Sequence, residues 1–392
     1  MDYWDYYDNG FDWTTNSGLD APDPNHTLEV LTSGGVTQAE AEVLMKSGYV
    51  CFPGFDVVID RFYGGAIRSY DHVTRIPSSK VSTLFEEPKS PIWYKKVSML
   101  DELKNVVAKC AAANRRELIF RGQTKNYTLN REVNNPHFTI QGLGEVSLLP
   151  SLWRKMHAQA PGSFLGFENL SLFEWSSVFY QAFDMAEIER QHKKLLDAGE
   201  WIYSMQDMAD SDSELLRAFA NPRLAVTMGW NHNLADAFAT LLQHYGLLSP
   251  VLDLSSSLDV ALFFATHKYS LEGCRSKYTF VGTNEGQSVI YIFSHNPSEM
   301  LAHDHRERAL LRLNPLRPKR QSCVIARTSQ YAINLPGYSL LGVIQLDFNL
   351  VEPTCADWVE RYFPGMAEDR FLRAIKQGLG KDAPVTNFAA ET

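Results

Sequence analysis

Apolar positions along the chain switch between helical and strand-like periods, and the sharpest switch lies between Leu234 and Ala265. From Leu234 to Tyr245 they recur at helical spacing, and Gly246 stands where a left-handed residue would end a helix. Pro250 forbids continuation, and Val251-Leu-Asp-Leu254 predicts a short strand that runs straight into Ser255-Ser256-Ser257. Ser256 with Asp259 three residues on has capping-box spacing, so a second helix is expected through Val260-Ala-Leu-Phe-Phe-Ala265. That helix is apolar almost all round, the pattern of a buried one. Its first N–H groups lack internal partners, which makes a serine-lined helix start at a strand end a ready place for an anion.

The same reading extends to the rest of the chain. Residues 1–27 mix acidic and aromatic side chains with no clear period, which predicts a loosely held arm that docks on something. Thr37 to Ser47 predicts a short helix ended by Gly48, and Tyr49 to Ile67 predicts strands and turns. Val97 to Ala113 has helical spacing, and Glu117-Leu-Ile-Phe-Arg121 is an apolar strand that carries an arginine. Residues 124–150 form a long Asn- and Gly-rich connection of the kind that is often functional. A helical region opens at Trp153 to His157, Leu170 to Leu196 predicts one long amphipathic helix with an aromatic core stripe, and Ser211 to Ala220 predicts another short one. Gln287 to Phe293, Gln321 to Ala326 and Tyr338 to Phe348 predict strands, and Leu350 to Gly378 a closing helix. Strands with helices segregated between them argue for an α+β fold. The expected division is an N-terminal extension at 1–95, a main domain at 96–350 with a helical insertion at about 150–230, and a C-terminal helix and tail at 351–392.

Composition narrows the class. At 392 residues, 45% hydrophobic and 21% charged, the chain has enough apolar content for a large core and no run long enough to span a bilayer. Neither a cationic start nor an apolar stretch marks a signal peptide, so a cytoplasmic location is the expectation. The five cysteines are scattered, with no CxxC pair, which argues against a disulfide framework and a structural zinc. His303-Asp-His305 has no further partner at ligand spacing, and no metal is expected. Residues 1–45 hold nine acidic residues and no Lys or Arg, so the whole formal charge of −9 resides there. Far downstream, Arg306, Arg308, Arg312, Arg317, Lys319, Arg320 and Arg327 face only Glu307. The acidic arm is therefore expected to contact that basic cluster, within the chain or in a partner.

Candidate chemistry gathers on the two strands. Arg121 offers a bidentate fork suited to phosphate. Asp253, if buried, needs a partner, and Arg121 is the obvious one; His244 and Asp253 flank the turn and suit a base with its orienting carboxylate. An equally ordinary role for His244 is bonding to the last carbonyls of the preceding helix.

Four stretches in order resemble the FRG domain, named for a Phe-Arg-Gly motif: Phe120-Arg121-Gly122-Gln123, Leu149-Pro-Ser-Leu-Trp-Arg154, Gln243-His-Tyr-Gly246 with Leu252-Asp253 and the helix ending Phe264-Ala265, and Arg327-Thr-Ser-Gln330. The likeness covers roughly Leu118 to Phe348. It departs at Leu248-Ser-Pro250, where the family usually has Pro-Thr-Arg, so an arginine available for phosphate in relatives is missing here. The arrangement is also similar to one class of ADP-ribosyltransferases, in which an arginine on an early strand and a hydroxyl-rich strand end hold NAD and a later glutamate stabilises the oxocarbenium ion. Arg121 and Ser255-Ser256-Ser257 match the first two elements in order. The third position holds Gln330, which cannot offer a full negative charge.

The resemblance implies an ADP-ribosyltransferase-like split-sheet core and an enzyme that consumes NAD as a substrate, transferring ADP-ribose to a macromolecular acceptor or hydrolysing NAD, by analogy as a toxin or phage-defence effector. The catalytic candidates are Arg121, His244, Asp253 and Gln330. Arg121, Gly122, Gln123, Tyr245, Ser255, Ser256 and Ser257 are the candidates for holding NAD. The alternative is a non-catalytic module that binds a nucleotide or a protein.

Overall fold

A computed structural model describes residues 23–51, 57–60, 63, 75–77, 90–149, 184–228, 243–246, 252–272, 275–296, 300–302, 315–326, 339–348, 358–373 and 387–388. The front of the chain forms helices α1 (Pro24–Ser33) and α2 (Gln38–Lys46), followed by strands β1 (Tyr49–Val50), β2 (Val57–Asp60) and β3 (Arg75–Pro77), which pair in that order. Helix α2 starts on a full capping box between Thr37 and Glu40 and buries Ala41 and Leu44 against α1. Next come β4 (Trp93–Val97), α3 (Leu100–Ala113), β5 (Leu118–Gln123), and the short hairpin β6 (Thr139–Ile140) and β7 (Gly144–Glu145). The helical region holds α4 (Met185–Asp197), α5 (Met205–Asp210) and α6 (Glu214–Met228). The second half contains β8 (Leu252–Ser255), α7 (Leu258–Thr266), β9 (His267–Glu272), β10 (Arg275–Phe280), β11 (Val289–Ser294), β12 (Met300–Ala302), α8 (Leu316–Arg320), β13 (Cys323–Ala326), β14 (Leu340–Leu346), α9 (Trp358–Tyr362) and β15 (Asn387–Phe388).

Seven strands make the main sheet in the order β12-β13-β8-β5-β11-β14-β4, antiparallel except for the parallel pair β14 and β4. The fold is thus α+β, as the sequence implies. Strand β11 lies at the heart of the sheet with Val289 through Phe293 all buried, which fits its unbroken apolar run. Helix α7 lies on the sheet with Ala261, Leu262 and Ala265 against Phe120, Ile290 and Ile292. Its Val260 and Phe263 pack the other way, against Tyr362 and Phe363. The all-round apolar pattern therefore has its cause, since the helix is covered on both sides. Fully burying side chains such as Phe263 and Leu262 stabilises by about 1.5–3 kcal/mol each.

Gly122 makes that packing feasible. A Cβ there would sit 1.6 Å from the Ala261 carbonyl oxygen, so α7 approaches the strand as closely as a bare backbone allows.

Some expectations shift. The second short helix starts at Glu214 and runs on to Met228, with α5 standing apart before it. The closing helix is interrupted: α9 ends at Tyr362, and Pro364-Gly365 breaks the helical run before helix resumes at Arg370. Of the long helix expected from Leu170, the described part is α4; residues 170–183 lie outside the described residues, as do 153–157 and most of the helix expected over 234–245. The β9–β10 strand pair was not anticipated, because His267-Lys-Tyr-Ser-Leu-Glu and Arg275-Ser-Lys-Tyr-Thr-Phe lack a dominant apolar period.

The connection at 124–149 is ordered by a buried ionic cluster. Arg131 donates from Nη1 and Nη2 to Asp60 at 3.0 and 2.7 Å, from Nε to Glu145 at 3.0 Å, and from Nη1 to the Ser47 carbonyl at 2.8 Å. Its side chain is 6% exposed and both carboxylates are fully buried. Asn135 adds donors to both acids, and the Tyr49 ring lies 4.9 Å from the guanidinium. Burial pushes the Glu145 carboxyl above its ordinary range against the pull of Arg131. The N-terminal extension is thereby tied to a segment that begins where β5 ends.

Candidate functional site

Strands β5 and β8 meet at a single register position, Phe120 opposite Ser255. Beyond that pair Arg121 Nη1 donates to the main-chain carbonyl of Asp253, where a pair with the Asp253 carboxylate was expected. A cleft of about 770 Å³ opens at this place. Its floor carries Arg121, Gly122 and Gln123 from β5, Asp253 and Ser255 from β8, and Gln243 and His244 from the turn before β8. One wall is aromatic, with Phe264 from α7 and Tyr269 and Tyr278 from the β9–β10 pair, the two tyrosine rings 5.4 Å apart.

The polar groups in the cleft are unevenly committed. Asp253 Oδ2 accepts from Gln243 Nε2 at 3.4 Å, while Oδ1 is buried with no hydrogen-bond partner among the described residues. Gln123, 8% exposed, likewise leaves Oε1 buried and without a partner. Among the described residues three cations, Arg121, Lys125 and Lys268, line the cleft against one carboxylate, Asp253. Lys125 lies 5.0 Å above the Tyr127 ring, just past the Phe-Arg-Gly-Gln strand. Sequence reasoning missed Lys125, Tyr127 and the aromatic wall, although Lys125-Asn-Tyr127 directly after Gln123 was a usable signal.

The Gln-His-Tyr-Gly turn makes most of its side-chain contacts with the surrounding fold. Gly246 has φ of 93°, the left-handed conformation foreseen for it. His244 does not bond Asp253, because its Nε2 lies 3.1 Å from Cys323 Sγ on β13. Burial holds this imidazole below its ordinary range, with Arg317 acting the same way against Asp253, and burial raises the Cys323 thiol well above its own. Near neutral pH the two therefore meet uncharged, so Cys323 is a thiol and not a thiolate, and His244 has its Nε2 turned to sulfur and not to Asp253. Tyr245 points away from the cleft: it is buried, and its hydroxyl donates to Asp369 at 2.6 Å. Arg317 is fully buried 5.0 Å from the Tyr245 ring and donates to the His244 carbonyl at 3.4 Å, so it does not belong to a solvated basic face. Arg320 pairs with Glu368.

The serine run divides by role. Ser257 caps α7, accepting from the Val260 N–H at 3.4 Å, in the place assigned to Ser256. Ser256 is exposed and gives its backbone N–H to the Ser322 carbonyl at 3.0 Å. Ser255 Oγ donates to the Gln321 carbonyl at 2.8 Å and accepts from the Ser257 N–H at 3.0 Å. Of the three only Ser255 lines the cleft. Gln330, the acidic arm at 1–22, and Arg306, Arg308, Arg312 and Arg327 lie outside the described residues. Among the described residues no cluster of His, Cys, Asp and Glu is grouped to hold a metal, and no helix is long and apolar enough to cross a membrane.

No curated protein and no solved structure matches the chain. The family model of the FRG domain matches residues 171–273, a stretch that holds the Gln243-His-Tyr-Gly246 turn, β8 and α7 and stops short of the Phe120-Arg121-Gly122 strand. Through that stretch, which supplies one side of the cleft, the chain is similar to the FRG domain family.

Proposed function

We propose that the cleft binds NAD as a substrate and that the protein transfers ADP-ribose to a macromolecular acceptor or to water. The observation that supports this most is the lining: among the described residues it holds three cations and one carboxylate, with an oxygen on that carboxylate that none of them bonds. Cations in excess suit a diphosphate, and clefts of roughly 300–1,000 Å³ take ligands of this order of size. Arg121 is the anchor for the diphosphate, assisted by Lys125 and Lys268, and the aromatic wall gives a ring a face to stack on. Asp253 takes the part that Gln330 cannot. As the C–N bond to nicotinamide breaks, its electron pair leaves with the nicotinamide, and the carboxylate faces the resulting oxocarbenium ion; the acceptor's lone pair closes the new bond as it gives up its proton. In this reading the core is an ADP-ribosyltransferase-like split sheet that parts between β5 and β8.

A second reading, a non-catalytic binding module, is favoured by the serine hydroxyls, two of which are spent on main-chain groups. Incubation with NAD separates the two. The enzyme reading expects nicotinamide release that Asp253→Asn abolishes while calorimetric binding persists, and an Arg121→Ala variant that binds NAD more weakly by about 1.5–3 kcal/mol, with Arg121→Lys intermediate. Binding without release in the wild type selects the module. No heat with NAD or ADP-ribose at millimolar concentration removes the nucleotide reading altogether.

A further inference from the structure

Gln123 ends β5, and its backbone is fixed from two directions. It pairs with buried Val289 in the β5–β11 ladder, and the preceding Gly122 is clamped beneath α7. Its side chain lines the cleft at 8% exposure, with Oε1 buried and no hydrogen-bond partner among the described residues. A buried amide oxygen without a donor is a standing cost to the fold, and folds keep few of them. Among the described residues the only other cleft-lining side chain with such an oxygen is Asp253, through its Oδ1.

An amide presents an acceptor beside a donor. Its complement is a group with a donor beside an acceptor, which a carboxamide and the amino edge of adenine both supply and a carboxylate does not. The cations of the cleft deal with the anionic part of the ligand and say nothing about its rings. We propose that Gln123 is the specificity-determining residue of the cleft: its amide reads the donor–acceptor edge of a ring on the bound dinucleotide and rejects rings whose edge carries acceptors alone. This rests on the NAD reading above and adds to it the group that is recognised.

Calorimetric titration of the full chain tests it with three ligands: NAD, its analogue with a carboxylate in place of the carboxamide, and its analogue with unsubstituted purine in place of adenine, whose ring nitrogens are acceptors alone. The wild type is expected to bind NAD about tenfold or more tightly over one of the two analogues, and the analogue rejected identifies the ring that is read. In Gln123→Met, of similar size and without an amide, that preference should fall to about one, while affinity for inorganic pyrophosphate stays as in the wild type and shows the cleft intact. Equal binding of all three ligands by the wild type, or a preference that survives in Gln123→Met, overturns the inference and leaves NAD binding standing. Failure of the wild type to bind NAD at all removes the reading and the inference together. Loss of pyrophosphate binding in Gln123→Met also counts against it, since Gln123 would then be shaping the cleft and not reading a ring.

Discussion

Two arginines on the same stretch of chain, Arg121 and Arg131, lie ten residues apart in sequence and in opposite chemical circumstances. Arg131 stands between two buried carboxylates that it bonds at once, with an asparagine and a tyrosine ring completing its surroundings. Arg121 faces a cleft in which, among the described residues, cations outnumber carboxylates and two buried oxygens, on Gln123 and Asp253, have no hydrogen-bond partner. A buried charge whose partners are all supplied by the chain holds the chain together. On the proposed reading, acceptors left over within a cleft are where a ligand's donors would sit.

The sharpest way to break this contrast is to remove Arg131. Arg131→Ala leaves Asp60 and Glu145 buried without their cation, and the expected loss is on the order of 3–5 kcal/mol in a denaturant titration. A loss below about 1 kcal/mol would mean that the cluster does not hold the front section to the sheet. Asp60→Asn combined with Glu145→Gln in the Arg131→Ala background should recover part of the stability, because the uncompensated charges are then gone.

A smaller effect is expected at Gly122, where the two regions share a strand. Gly122→Ala drives a methyl into the Ala261 carbonyl, so α7 must move off the sheet, at a cost of about 1–3 kcal/mol. Because α7 begins directly after β8, the variant should also disturb the cleft, and a thermal melt with hydrogen exchange on residues 258–266 would show it. Unchanged protection of α7 would contradict the close approach.

The smallest effects separate the two serines. Ser257→Ala should cost about 1 kcal/mol as a lost helix cap, whereas Ser256→Ala should stay within about 0.5 kcal/mol of the wild type. Thermal melts of both decide it, and the reverse ranking would restore the cap to Ser256.

What the sequence made legible was the local grammar. The strand with Arg121, the glycine that ends the turn at Gly246, the strand at Leu252 and the buried helix after it all follow from period and punctuation within a few residues. The cap slipped by one position because serines stand at both sites, and spacing to Asp259 cannot tell which hydroxyl meets an N–H. His244 was drawn towards Asp253 by nearness in sequence, but Cys323, 79 positions away, took the ring. Arg131, Asp60 and Glu145 are each unremarkable in their own segments, and only tertiary structure brings them together. The aromatic wall was hidden for a related reason, since Phe264 belongs to a helix and Tyr269 and Tyr278 to a strand pair whose apolar pattern is weak.

The ionic cluster also bears on where the molecule can be cut. A boundary after residue 95 divides β4 between Lys95 and Lys96, although that strand forms an edge of the main sheet by pairing in parallel with β14. The same cut parts Asp60 from Arg131 and Glu145. The front section and the sheet are accordingly one inheritance: a gene fusion, a domain graft or a minimal expression fragment that begins at residue 96 carries away half of a strand and one acid of a buried pair, and a portable unit has to start ahead of α1.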